Sequence, residues 1–276
     1  MTETDNEPLA TDPRPLPGYA SFDRPAATTV PVASIVIPAF NEARRIEPYL
    51  KQIAAFFEAK AQPYEILVVN DGSRDNTAEF VRSLLPRFPA LGLISYDENR
   101  GKGHAVRLGM LTARGSLRAF ADADGATPIG EWEKLRAQID QGAALAIGSR
   151  AIRDHGSVSM SLLRKFIAQG FRLVRRMVLP LDIKDTQCGF KLFTAAAAES
   201  IFRQARLDGL AFDVELLYLA ACMSLKVAEV PIEWHEAGES HISLLRDPLR
   251  MFVDLLRVRR LHADITNSEF RTQNSE

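Results

Sequence analysis

The sequence predicts an α/β fold: a mainly parallel sheet flanked by helices, with amphipathic helices towards its C-terminal end. Three observations carry that prediction. From residue 32 onward, short apolar runs alternate with helix-length stretches, the pattern of strands joined by helical crossovers. The length of 276 residues suits one large domain with tails. The balance of 46% hydrophobic and 25% charged residues is that of a globular chain able to fill a core.

Residues 1–30 read as a disordered N-terminal tail, because they hold five of the 15 prolines and no periodic apolar pattern. Order is expected from Val32. Val32–Pro38 (VASIVIP) is a buried strand stopped by its proline. Glu42–Lys60 is helical, Tyr64–Asn70 (YEILVVN) is a second strand, and Asp75–Phe88 is a helix capped by Asp75. Leu91–Tyr96 is a third strand, Lys102–Arg114 a helix and Leu117–Ala121 a fourth strand. A helix starts near Pro128, where proline suits a first turn. Ala143–Gly148 (AALAIG) is a fifth strand.

The second half changes character. Ser159–Leu179 is a long basic helical stretch, Gln187–Phe193 a strand, Ala211–Ser224 a helix, Val227–Trp234 a strand and Asp247–Leu261 a final helix. The chain divides into the tail, a catalytic-sized domain over 31–240, an amphipathic basic helix over 241–263 and a frayed end over 264–276.

Composition excludes several classes. A net charge of −1 does not suit nucleic-acid binding. Cys188 and Cys222 form neither a zinc spacing nor a disulfide framework. The five histidines include no i, i+4 pair. No apolar run is long enough to span a bilayer, and the acidic start lacks the features of a signal peptide. The expectation is a cytoplasmic protein able to lie peripherally on the membrane face.

In mainly parallel sheets, ligands bind beyond the carboxyl ends of the strands. Three polar signals fall there: Asn41-Glu42, Asp71-Gly72-Ser73 and Asp122-Ala123-Asp124. Two carboxylates at i and i+2 suit a hard divalent ion, Mg²⁺ or Mn²⁺, that also holds phosphate oxygens. A solvated turn ahead of Thr127-Pro128 explains the triplet equally well. Asp71 is able to accept hydrogen bonds from a base or ribose, and turn chemistry accounts for it too. Gly101-Lys102-Gly103 follows a strand and opens a helix, yet lacks the third glycine of a dinucleotide fingerprint and the Ser or Thr of a P-loop. Lys102 is either a phosphate-site cation or a solvated lysine.

Two basic stretches stand out. Arg150–Arg176 holds Arg150, Arg153, Arg164, Lys165, Arg172, Arg175 and Arg176 against one acid, Asp154. Arg246, Arg250, Arg257 and Arg260 form one stripe of the final helix, beside Leu245, Leu249, Phe252 and Leu256. The first suits an anionic acceptor or anionic lipid heads, or is a solvated helix face; the second suits a bilayer interface, or packs on the domain with its arginines in water.

Taken in order, SIVIPAFNE, EILVVNDGSRDNT, ENRGKGHAVRLGM and FADADGAT resemble the family 2 glycosyltransferases of GT-A (Rossmann-like) fold. The similarity continues through AIGSR, DTQCGFKLF, FDVELL and EVPIEWHEAGES, over about residues 33–262. DADGAT and SLLRDPLRMFVDLLRVRR look most like the branch that glucosylates dolichyl phosphate. The resemblance implies that Pro38, Ala39, Glu42 and Asp71 line the nucleoside site, that Asp122 and Asp124 hold metal and diphosphate with Ala123 between them, and that Lys102 belongs to the donor site. It places Arg150 and Arg164 at the acceptor phosphate and Gln187 near the donor sugar. Many relatives carry Gln where this chain has Ala126.

The implied reaction is an inverting transfer of a hexose, glucose first, from a UDP-sugar to a polyprenyl (dolichyl or undecaprenyl) phosphate. An ionised phosphate acceptor needs no strong base, so Asp124 and Gln187 serve positioning and the leaving group. If the acceptor is a hydroxyl, on a small molecule or a protein, Asp213 is the candidate base. A non-catalytic nucleotide-sugar binder is the remaining alternative.

Overall fold

The structure is a computed structural model that describes residues 21–24, 30–150, 183–235, 254 and 256–263. Its strands are β1 (Ser21–Asp23), β2 (Ala33–Ala39), β3 (Tyr64–Asp71), β4 (Leu91–Tyr96), β5 (Leu117–Phe120), β6 (Leu145–Ser149), β7 (Lys191–Thr194) and β8 (Val227–Pro231). Its helices are α1 (Ile46–Ala59), α2 (Thr77–Leu84), α3 (Lys102–Thr112), α4 (Trp132–Asp140), α5 (Ala195–Gln204) and α6 (Phe212–Cys222).

The strands form one sheet in the order β1-β4-β3-β2-β5-β7-β6-β8. β4, β3, β2 and β5 run parallel, as do β6 and β8. β1 is antiparallel to β4, and β7 is antiparallel to both β5 and β6. Because β7 alone is reversed between β5 and β6, the carboxyl ends of β5 and β6 and the start of β7 meet at one edge.

Strand side chains alternate between two faces, and both faces are covered. Val36, Leu67, Val69 and Ile94 pack in one cluster with α3, α5 and α6. Ile35, Ile37, Ile66 and Val68 pack in another with Tyr49, Leu50 and Phe57 of α1, Val81 of α2 and Trp132 of α4. A sheet buried on both faces explains why these strands read as continuous apolar runs.

Several expectations need correction. Order does not wait for Val32, since Ser21–Asp23 pairs with β4 as a short edge strand, too short to show a period in sequence. α1 begins at Ile46, not Glu42: Asn41 sits at φ 60° and residues 43–45 form a turn on the Glu42 carbonyl. The first helical residue after Asp71 is Thr77, with Asn76 rather than Asp75 at the cap position. Asp75 Oδ1 accepts from the Thr77 amide at 3.0 Å, a local turn. The strand predicted over 187–193 is instead Lys191–Thr194, and β8 ends at Pro231.

Helix α5 went unpredicted because its four leading alanines blur the apolar stripe, although Thr194 caps it by accepting from the Ala197 amide at 3.2 Å. Ser159–Leu179, Arg164 and residues 236–253 lie outside the described residues. Of the final helix, 256–261 is helical, with Val258 buried and Leu256, Arg257 and Arg260 exposed. Among the described residues, no helix is long and apolar enough to cross a membrane.

Candidate active site

The predicted site residues that the structure describes gather at the carboxyl edge of the sheet. Pro38 and Ala39 end β2, Asp71 ends β3, Asp122–Asp124 follow β5, and Arg150 follows β6. Lys102 opens α3 directly after the loop that leaves β4. Gln187 arrives because reversed β7 starts at this same edge.

The loops after β2 and β3 are stitched together. Asn41 Oδ1 accepts from the Arg74 amide at 2.8 Å, and the Asn41 amide donates to Ser73 Oγ at 3.0 Å. The Glu42 amide donates to Thr77 Oγ1 at 2.9 Å, and the Glu42 carboxylate pairs with Arg45. Asparagine tolerates the left-handed backbone that this crossing requires.

Asp71 is buried and fully engaged by the following loop. It accepts from Tyr96 Oη at 2.8 Å, the Arg100 amide at 2.8 Å, the Gly101 amide at 2.9 Å and Asn99 Nδ2 at 3.0 Å. Burial raises its carboxyl above the ordinary value, against the pull of those hydrogen bonds. Asp71 therefore fixes the path of residues 96–101, from which Lys102 departs.

The Gly101-Lys102-Gly103 sequence serves a contact between chain segments. The Asp208 carbonyl accepts from the Gly103 amide at 2.8 Å and from the His104 amide at 3.3 Å. A β-carbon on Gly103 would lie 2.5 Å from the Leu207 carbonyl oxygen. The first amides of α3 are thus occupied by protein, and neither a P-loop nor a dinucleotide turn exists here.

Lys102 instead extends its ammonium onto Asp122 Oδ1. Burial alone would lower the Lys102 pKa, but the charges of Asp122, Asp213 and Asp124 outweigh it and raise the value. Asp124 Oδ1 accepts from the Ala126 amide at 3.0 Å, a tight turn through Gly125 at φ 66°. Gly125 lies against the Tyr49 ring, 3.0 Å from Cδ2 for an added β-carbon. Among the described residues the buried Tyr49 hydroxyl meets no hydrogen-bond partner, and burial, then the charges of Asp122 and Asp124, push its ionisation far up.

Behind the triplet lies a second charge pair that sequence reasoning missed. Lys191, fully buried, pairs with Asp213 Oδ1 and donates to the Cys188 carbonyl at 2.7 Å. Its ammonium sits 5.3 Å from the Phe120 ring centroid. Burial raises the Asp213 carboxyl, opposed by Lys191 and Lys102. Gly189, one residue past Cys188, meets Asp122 directly: an added β-carbon would sit 2.0 Å from Oδ2. A lysine inside the apolar run FKLF was the available signal, since a charge there must find a partner.

Arg150 is held in place by Asp185, through Nε to Oδ2 at 2.7 Å and Nη2 to Oδ1 at 3.0 Å. Its guanidinium carbon stands 5.7 Å from the Trp234 ring centroid and feels the Asp122 charge. Asp185 Oδ1 also accepts from the Gln187 amide at 3.3 Å. Asp185 was not singled out in sequence, because its partner lies 35 residues away.

Among the described residues, no group of three or more His, Cys, Asp and Glu side chains clusters to hold a metal. The donor set nonetheless fits a hard divalent ion that takes one or two carboxylates and completes its shell with phosphate and water. Asp122 retains 39% of its side-chain exposure, and Asp124 is partly exposed beside it.

Comparison with known proteins agrees with this geometry. Residues 34–202 match the profile of Glycosyl transferase family 2. The chain is 40% identical over 236 residues to a dolichyl-phosphate beta-glucosyltransferase of Trichomonas vaginalis, covering 82% of this chain and 70% of that one. It is 37% identical over 245 residues to the dolichyl-phosphate beta-glucosyltransferase of Saccharomyces cerevisiae, covering 82% and 73%. The fold is similar to that of glucosyl-3-phosphoglycerate synthase from Mycobacterium tuberculosis, solved with Mn²⁺, UDP-glucose and phosphoglyceric acid. That match has a TM-score of 0.59 at 18% identity and covers 83% of this chain and 79% of that one. The expected GT-A architecture is present, and the chain belongs to glycosyl transferase family 2.

Proposed function

We propose that the protein transfers a hexose, glucose first, from a UDP-sugar to a polyprenyl phosphate. The likeness to dolichyl-phosphate beta-glucosyltransferases over most of the chain supports this reading. The observation that carries it is the state of Asp213. Its carboxylate is 4% exposed and committed to Lys191, so it is poorly placed to take a proton from a hydroxyl acceptor. An ionised phosphate needs no such base.

Asp122 and Asp124 would hold Mg²⁺ or Mn²⁺ on the donor diphosphate. The ion would supply charge neutralisation for the leaving group. Pro38, Ala39 and Glu42 offer one wall for the nucleoside, on a loop fixed by Asn41. Lys102 offers a cation to the diphosphate, and catalysis rests on positioning and electrostatics. Arg150, aimed by Asp185, would offer its charge to the acceptor phosphate; Arg164, outside the described residues, would join it by resemblance, and Gln187 would serve the donor sugar. Attack on the face opposite the leaving group inverts an α-linked donor into a β-product. The basic C-terminal residues, Arg257 and Arg260 among them, provide a peripheral contact with an anionic membrane.

The test incubates the protein with labelled nucleotide sugars, Mg²⁺ or Mn²⁺ and polyprenyl phosphate, and separates lipid-linked product. Label should move to lipid from UDP-glucose and should cease in Asp124→Ala. Label found only in free sugar sinks the acceptor assignment. Undiminished metal-dependent transfer by Asp124→Ala sinks the metal ligands.

A further inference from the structure

Lys102 stands on the carboxylate that the proposed ion requires. We infer that Lys102 is the resident counter-ion of the acidic site, competing with a divalent cation for Asp122 until a nucleotide diphosphate draws the ammonium away. This rests on the metal reading above and adds an order to it: metal alone binds poorly, and metal with nucleotide binds well.

Geometry supports the competition. The Lys102 ammonium meets Asp122 Oδ1 in a half-buried setting, with side-chain exposures of 27% and 39%. Attraction there is screened less than at an open surface. Lys102 also lies within electrostatic reach of Asp213 and Asp124. Its backbone is firmly rooted, because the Asp208 carbonyl holds the next two amides of α3. Only the four-carbon stem is left to swing.

Charge balance gives the direction. Asp122, Asp124 and Asp213 face the ammoniums of Lys102 and Lys191. Arg45 and Arg150 also act on Asp122, but each is paired with a carboxylate of its own, Glu42 and Asp185, so one negative charge is left in excess. A divalent ion entering alone would turn that excess positive and press against Lys102. An ion entering with the doubly charged diphosphate of a nucleotide sugar leaves the balance as it was. The phosphate oxygens then offer Lys102 new acceptors in exchange for Asp122. Linkage makes the effect reciprocal: whatever draws Lys102 from Asp122 raises metal affinity there.

The experiment measures Mn²⁺ binding to the full chain through the paramagnetic resonance signal of the free ion, without nucleotide. Wild type should bind weakly, and Lys102→Met should bind about tenfold tighter. Lys102→Arg, which restores the charge, should return to weak binding. Adding UDP should bring wild type and Lys102→Met together. Thermal midpoints, with Lys102→Gln measured alongside, show that each variant is folded. Equal or weaker Mn²⁺ binding by folded Lys102→Met and Lys102→Gln overturns the inference, as does a gap that UDP fails to narrow. Asp122→Asn separates the two readings: with UDP present, undiminished Mn²⁺ binding in that variant overturns the metal assignment itself.

Discussion

Gly189 lies so close to Asp122 that a β-carbon on it would sit 2.0 Å from Oδ2 and 2.4 Å from Cγ. The carboxylate occupies the space that any other residue at 189 would fill. The loop before β7 is thereby matched to the triplet after β5, although 66 residues separate the two positions.

Gly189→Ala should therefore act through Asp122. The methyl group pushes the carboxylate aside, and affinity for Mn²⁺ in the presence of UDP should fall by about 10–100-fold, the range for groups that orient a metal ligand. The thermal midpoint should hardly move, since the displaced group is partly exposed. A variant that keeps wild-type Mn²⁺ affinity would refute the link.

The buried Lys191–Asp213 pair predicts an asymmetry in stability. Lys191→Met leaves Asp213 buried without its partner, and the loss should be about 3–5 kcal/mol. Lys191→Met/Asp213→Leu removes both charges and should recover most of that loss. Denaturant unfolding of the three proteins measures it. A double variant no more stable than Lys191→Met alone contradicts the account.

That the candidate residues gather at one edge was legible in sequence, and the reason is local. Pro38, Ala39 and Asp71 end apolar strands, Glu42 and Asp122–Asp124 lie in the loops just beyond them, and parallel strands deliver their carboxyl ends to one side. What stayed hidden depends on pairing across distance. Lys191 finds Asp213 22 residues on, Arg150 finds Asp185 35 residues on, and Gly189 finds Asp122 only because β7 runs backwards. Strand direction is set by pairing partners, which periodicity does not encode. Gly101-Lys102-Gly103, whose sequence lacks what a phosphate turn needs, is filled by the Asp208 carbonyl.

Asp185 gives a pH dependence. Burial alone would raise its carboxyl, but the hydrogen bonds and charge of Arg150 overcome that and hold it below the ordinary 3.8. A depressed carboxyl contributes stability above its unfolded value and loses it as pH falls through the folded one. The gap in thermal midpoint between wild type and Arg150→Gln should be clear at pH 7 and shrink below 3.8. A gap that persists unchanged at lower pH would refute the pairing. The same variant should raise KM for polyprenyl phosphate by roughly tenfold, the loss of one charge-assisted contact.

The two thiols should separate cleanly. Burial pushes the Cys188 thiol up to about 11, so almost none is thiolate at pH 8. Cys222 is only partly buried. A thiol-reactive dye should label one cysteine in the folded protein and two in denaturant. Labelling of both under native conditions would mean that the loop from 185 to 190 opens.

The place of β7 in the sheet has a consequence for how the chain is made. β5 and β6 are not neighbours, and β7 must slot between them. While the ribosome extends the chain from residue 149 to residue 191, the outer edge of β5 and both edges of β6 wait unpaired, for a few seconds at ordinary rates of synthesis. Bare strand edges are what chaperones and neighbouring chains seize. The strands from β2 to β5 are thus complete early, β7 and β8 late, and translation between them is the interval in which this protein most needs an escort.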